Sequence, residues 1–174
     1  MIHFKTATPS DAEDLSKLIN SAYRGDSSKR GWTTEADLLD GQRTDPESLK
    51  SIIQTADNQI EMAHDSKTQL LVGCVHLKKE NEHSLYFGML TVAPNQQSLG
   101  LGKMLILHLE EIARRSGLSQ IRISVIQHRK ELIAFYERRG FFPTGHFEAF
   151  PEEDPRFGIP KVKNLKLIEY LKKI

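Results

Sequence analysis

Cysteine is almost absent: Cys74 is the single thiol in 174 residues. One thiol cannot close an intrachain disulfide or supply a multi-thiolate zinc or iron–sulfur site, and the chain is expected in a reducing, cytoplasmic compartment. An excess of charge is equally missing, since 24 basic residues against 23 acidic ones leave a formal net charge of +1. Phosphate-backbone affinity therefore has no obvious source, and nucleic acid is not an expected partner. No apolar run approaches the roughly 20 residues needed to span a bilayer, and no apolar segment of the export type follows Met1. No membrane association is expected. The seven histidines fall in no His-Glu-x-x-His or comparable spacing, so no metal site is assigned. Repeats, low-complexity tracts and flexible linkers are lacking too, and residues 1–174 read as one domain. What the chain does have is 39% hydrophobic residues, enough for a substantial core.

The periodicity of those residues sketches the elements. A strand is expected over 2–7, then a helix entered through Pro9 with a capping box from Ser10 to Glu13. Its stripe is Ala12, Leu15, Leu18, Ile19, Ala22 and Tyr23. Residues 30–41 read as a loop with a short helix and hold the only tryptophan, and a second helix runs from about 45 to 55. Apolar and β-branched runs over 59–63, 69–78 and 85–92, separated by short polar turns, predict an antiparallel meander. A long helix follows over 99–116, stopped by Gly117. The pattern then gives a buried strand over 121–126, a helix over 129–139 ended by Gly140, a strand opening at Phe141-Phe142, and a last strand over 162–171. If that last strand forms a sheet edge, it invites pairing into a homodimer. Cys74, on a strand, reads as a small core residue.

The informative segment joins the strand Leu90-Thr91-Val92 through Pro94 to Gln97-Ser98-Leu99-Gly100-Leu101-Gly102-Lys103 at the start of the long helix. Free N–H groups and the positive end of the helix dipole meet there, and two glycines let an anion such as a diphosphate approach the backbone. A Walker loop would need glycine at Gln97 and serine or threonine at Met104, and a dinucleotide fingerprint would need a small residue at Leu105. Neither motif is met. The glycines serve equally well for close packing of helix on sheet, and Lys103 for solvation.

Gln97-x-x-Gly100-x-Gly102 resembles the Q/R-x-x-G-x-G/A pyrophosphate motif of the GNAT superfamily of N-acetyltransferases. Downstream, Phe135-Tyr136-Glu137-Arg138-Arg139-Gly140-Phe141 is similar to that superfamily's Leu-Tyr-x-x-x-Gly-Phe signature. The order of expected elements agrees as well. The resemblance implies an α/β fold of the GNAT type, with a mixed central sheet of about six or seven strands and helices on both faces.

It also implies an acetyl-CoA-dependent N-acetyltransferase, in which the co-substrate lies in a split between the parallel strands 85–92 and 121–126. Leu90, Thr91 and Val92 would offer backbone groups to the pantetheine arm, and residues Gln97 to Lys103 would hold the pyrophosphate. A primary amine, on a small molecule or a peptide, would attack the thioester directly while Tyr136 protonates the departing thiolate. A phenol is protonated at neutral pH and suits that task, although Tyr136 reads equally as a core aromatic. Many relatives carry a basic glutamate where this chain has Tyr86-Phe87-Gly88-Met89, and the nearby His83 is the substitute candidate, or else a solvated turn residue. Relatives often have asparagine seven residues before the tyrosine, where this chain has Arg129. The acceptor site would lie among the 30–41 loop, the last two strands and residues 147–157. Trp32 and Glu35, with Asp37 and Asp40 beside them, would receive a cationic amine there, or simply face water. A non-catalytic acyl-CoA-binding module and a different nucleotide binder stand as the alternatives.

Overall fold

The computed structural model describes the backbone of residues 1–174 and every side chain but that of Arg156. The alternating runs become strands β3 (Asn58–Asp65), β4 (Leu71–Lys79) and β5 (Ser84–Val92), paired antiparallel as the turns between them require. β1 (Ile2–Thr6) adds antiparallel to β3, and β6 (Gln120–Ile126) adds parallel to β5. Beyond β6 the sheet is completed by β9 (Lys166–Lys173) and then β7 (Phe142–Ala149), giving seven strands in the order β1-β3-β4-β5-β6-β9-β7. β2 (Leu39–Asp40) and β8 (Ile159–Pro160) form a separate two-residue ladder over the 30–41 loop.

Helices cover both faces. On one, α1 (Ala12–Tyr23) and α3 (Pro46–Gln54) bury Leu15, Leu18, Ile19 and Leu49 against Ile60, Met62 and Cys74. On the other, α4 (Leu101–Arg115) packs Leu101, Leu105, Leu109 and Ala113 against Val75, Leu77 and Phe87, beside α5 (Lys130–Glu137). Each fully buried leucine contributes about 1.5–3 kcal/mol of transfer free energy, so α4 is held by its stripe. A short helix, α2 (Gly25–Ser28), precedes the tryptophan loop instead of falling within it. The N-terminal capping box is formed by Thr8 and Asp11, two residues before the expected pair, because the entry begins with a single 3₁₀ turn at Pro9.

The C-terminal strand is not an edge. β9 is flanked by β6 and β7, and the edge strands are β1 and β7, the latter with all eight residues solvent-exposed. The case for a dimer through residues 162–171 therefore falls, because that strand's backbone groups are already paired on both sides.

Candidate functional site

A defect in the sheet creates the site. β5 and β6 pair only at Ser84–Gln120, Leu85–Ile121 and Tyr86–Arg122, and beyond these they diverge. The cause is a bulge: the β4–β5 register slips between Cys74 and His76, and Met89 takes a left-handed φ of 47°. Such an insertion bends its strand and increases its twist, here turning the end of β5 out of reach of β6. The open notch leads into two adjoining cavities that share Tyr23, Leu90, Arg129 and Leu132 as their partition.

The first cavity, about 280 Å³, lies over the end of β5 and the N-terminus of α4. Leu90, Thr91, Val92, Gln97, Ser98, Gly100, Gly102 and Lys103 line it, so these candidates are brought together. Leu101 instead enters the core and Leu99 points to solvent, leaving only their backbone in the turn. Among the described residues, no N–H of residues 97–103 donates a hydrogen bond, and the first helical bond is from Met104 to the Gly100 carbonyl. Several unpaired donors and a helix dipole thus face one spot. The two glycines differ in role. Gly100 has a left-handed φ of 86° with open space where a side chain would stand, whereas a Cβ at Gly102 would meet the Phe135 ring at 3.2 Å. Gly102 therefore combines cavity lining with tight packing on α5. The Gln97 amide nitrogen donates to the Val92 carbonyl at 3.2 Å and its oxygen accepts from Thr33 N–H at 3.2 Å, tying the turn to the tryptophan loop. Gly31 leaves room for that side chain, since a Cβ there would overlap it at 2.5 Å.

Sequence reasoning missed Arg138 and Arg139, which join Lys103 in this cavity. Arg139 stacks over Phe135 with its guanidinium carbon 3.5 Å from the ring centroid and donates to the Phe135 carbonyl at 2.7 Å. Their only sequence signal is two consecutive arginines at the end of a helix that abuts the glycine turn.

The second cavity, about 170 Å³, is walled by Tyr86, Gly88, Leu39, Ile126, Phe150 and Phe157. Tyr136 also lines it, buried among Phe87, Phe135 and Phe141 in edge-to-face contacts. Burial, with a smaller contribution from Tyr23, pushes its phenol well above the ordinary value, so the proton stays on the oxygen at neutral pH. Tyr23 donates its hydroxyl to the Leu90 carbonyl at 2.9 Å, and burial pushes its own titration up to about 12.

Glu35 also lines this cavity, but its charge is spent. Arg24 binds one carboxylate oxygen at 2.5 Å and Arg129 the other at 2.9 Å, with all three side chains buried. Burial alone would raise the Glu35 carboxyl, yet Arg129, Arg24 and Arg43 outweigh it and hold it below the usual range. Arg129, in the position where relatives often have asparagine, also donates to Thr33 Oγ1 at 2.6 Å, while its Nε is buried without a hydrogen bond. Trp32 and Glu35 are not brought together: Trp32 leans on Phe135 at 5.8 Å in the first cavity. Asp37 and Asp40 are exposed and pair with Lys29 and Lys161. His83 is exposed at the start of β5 and lines neither cavity, since the whole run to the bulge separates it from the notch. Of the 147–157 segment, Phe150, Pro151 and Phe157 reach the second cavity, and the Arg156 side chain lies outside the described residues. No group of acids, histidines and cysteine able to hold a metal occurs among the described residues, nor does a helix long and apolar enough to cross a membrane.

Comparison with known proteins follows the same lines. A model of the acetyltransferase (GNAT) family matches residues 14–141. Similar solved structures include an N-acetyltransferase from Staphylococcus aureus, with 15% identity, 99% of this chain and 97% of that one covered, and a TM-score of 0.72. An IAA acetyltransferase from Bacillus cereus shares 16% identity over 100% of both chains with a TM-score of 0.68. A GNAT family acetyltransferase from Elizabethkingia anophelis, with acetyl-CoA bound, shares 16% identity over 99% of this chain and 98% of that one, with a TM-score of 0.66. These likenesses establish the shared mixed α/β sheet, and with the family model spanning 14–141 the chain belongs to the acetyltransferase (GNAT) family of acyltransferase enzymes.

Proposed function

We propose that the protein is an N-acetyltransferase that moves an acetyl group from acetyl-CoA to a primary amine. The observation that carries this reading is the splay of β5 from β6, which joins the unpaired N–H turn to the buried Tyr136 through one notch. When bound, acetyl-CoA supplies an acetyl thioester open to direct attack by the amine.

The residues of the chain fit that partner. The N–H groups of 97–103 and the charge of Lys103 would hold the diphosphate, with Arg138 and Arg139 adding positive charge to the same cavity. Leu90, Thr91 and Val92 line the path towards the notch and offer backbone groups to the pantetheine amides. As the amine forms its bond to the acetyl carbon and the carbon–sulfur bond breaks, Tyr136 Oη gives its proton to the sulfur, while the surplus proton on nitrogen passes to solvent, from which the phenol is restored. No carboxylate free of an arginine lines the acceptor side among the described residues, and His83 lies elsewhere. Arg43 and Arg129 in the lining instead disfavour an ammonium, so the acceptor reacts as the free amine.

The test is Tyr136→Phe. Turnover should fall by roughly 10²-fold or more, the usual contribution of a positioned general acid, while the calorimetric Kd for acetyl-CoA stays within about twofold. Equal turnover would overturn the acid role. Tighter binding of ATP or NAD than of acetyl-CoA would overturn the co-substrate assignment.

A further inference from the structure

Among the described residues, the acceptor-side cavity contains one cation with no hydrogen-bonded or ion-paired partner. Arg43 is half-buried, lines the cavity, and sits with its guanidinium carbon 5.6 Å from the Tyr23 ring centroid. Among the described residues, that guanidinium has no hydrogen bond and no ion pair. Its charge acts on Tyr23, His76 and Tyr86 alike. Glu35 is the one acid in the lining, and both its oxygens are taken by Arg24 and Arg129. Three guanidiniums thus converge on one carboxylate, and Arg43 is the one left over.

Such a cavity repels a purely cationic amine and attracts a molecule that brings its own carboxylate, for which a planar guanidinium offers paired donors. Part of the lining is apolar, formed by Leu39, Ile126, Phe150 and Phe157. Its volume of about 170 Å³ suits a small molecule. Building on the acetyltransferase reading above, we infer that the acceptor is a small amino acid-like zwitterion with an apolar side chain, its carboxylate held by Arg43. Carboxylate on Arg43 and side chain on the aromatic wall leave the amino group as the part free to face the notch. The same positive surroundings then favour loss of its proton to solvent water, since among the described residues the one carboxylate of the lining is already paired with arginines.

The experiment compares L-leucine, L-methionine and L-phenylalanine with their amides and with the corresponding decarboxylated amines, following release of the coenzyme A thiol. The acids should exceed their matched partners in kcat/KM by about tenfold or more, as expected for a charge-assisted pair, even though the amides deprotonate more readily. In Arg43→Gln the KM for the acids should rise roughly ten- to a hundredfold and the acid-to-amide ratio should fall towards one, with Arg43→Lys recovering part of it. Calorimetry with acetyl-CoA on the same samples separates the two levels of the argument. Absence of acetyl-CoA binding by the wild type would overturn the acetyltransferase reading itself. Binding accompanied by equal or better use of amides or amines, or by no use of any acid, would overturn the carboxylate inference alone. An unchanged ratio in Arg43→Gln would remove Arg43 from the role.

Discussion

Replacing Glu35 by glutamine tests whether this residue is a structural clamp or a substrate contact. The side chain is isosteric, but it offers one oxygen and one NH₂ where the carboxylate offered two oxygens. One of Arg24 and Arg129 must then face a donor. Arg24, Glu35 and Arg129 are only 6%, 6% and 5% exposed, so water cannot replace the lost partner. Removing one member of a buried charge pair costs about 3–5 kcal/mol, and here one carboxylate serves two guanidiniums. Against a total stability of about 5–15 kcal/mol this is a large share, and it corresponds to a fall in Tm of roughly 10 °C for a domain of this size. Thermal and urea unfolding followed by circular dichroism would measure it. The pH dependence has a definite sign. Because the folded carboxyl titrates below its unfolded value of about 4.3, its stabilisation is fully present above that pH and is lost as the pH falls through the folded value. The gap between wild type and E35Q should therefore be flat from about pH 5 to 7 and close only under more acid conditions. A loss under about 1 kcal/mol at pH 7, or a gap that widens on acidification, would refute the clamp.

Two further outcomes follow from the geometry. Gly100→Ala should cost about 1–2 kcal/mol of stability because a left-handed φ of 86° strains any side chain, while Gly102→Ala, at an ordinary helical position, should be nearly neutral in stability and act on acetyl-CoA affinity through Phe135; equal stability losses in a urea titration would contradict this division. Cys74 is fully buried and its thiol is pushed up to about 12, so a chromogenic aromatic disulfide at pH 8 should label no thiol in the native protein and one per chain in denaturant. Rapid native labelling would refute the burial.

The candidate site was legible in part, and for identifiable reasons. Gln97, Gly100, Gly102 and Tyr136 announce themselves because a glycine turn at a helix start and a tyrosine ahead of a helix-ending glycine are local patterns. Arg138 and Arg139 carry no such signal until α5 is packed beside α4. The roles drawn for Trp32, Glu35 and His83 depended on assuming which residues meet, and the fold places Trp32 and Glu35 in different cavities and His83 in neither.

By itself the sequence determined the meander of β3 to β5, the long amphipathic α4 and the anion-ready turn between them, because periods of 2 and 3.6 and the chemistry of proline and glycine act over a few residues. Only the tertiary structure decided that β9 enters between β6 and β7, since strand order is set by pairing between residues far apart in the chain. It alone placed a bulge at Met89, where no glycine marks the left-handed backbone that opens the notch. And it alone matched Glu35 with Arg24 and Arg129 across 11 and 94 residues, leaving the Arg43 guanidinium without an ion pair among the described residues. Charge is a property of single residues, but neutralisation is a property of neighbours, and neighbours are what folding supplies.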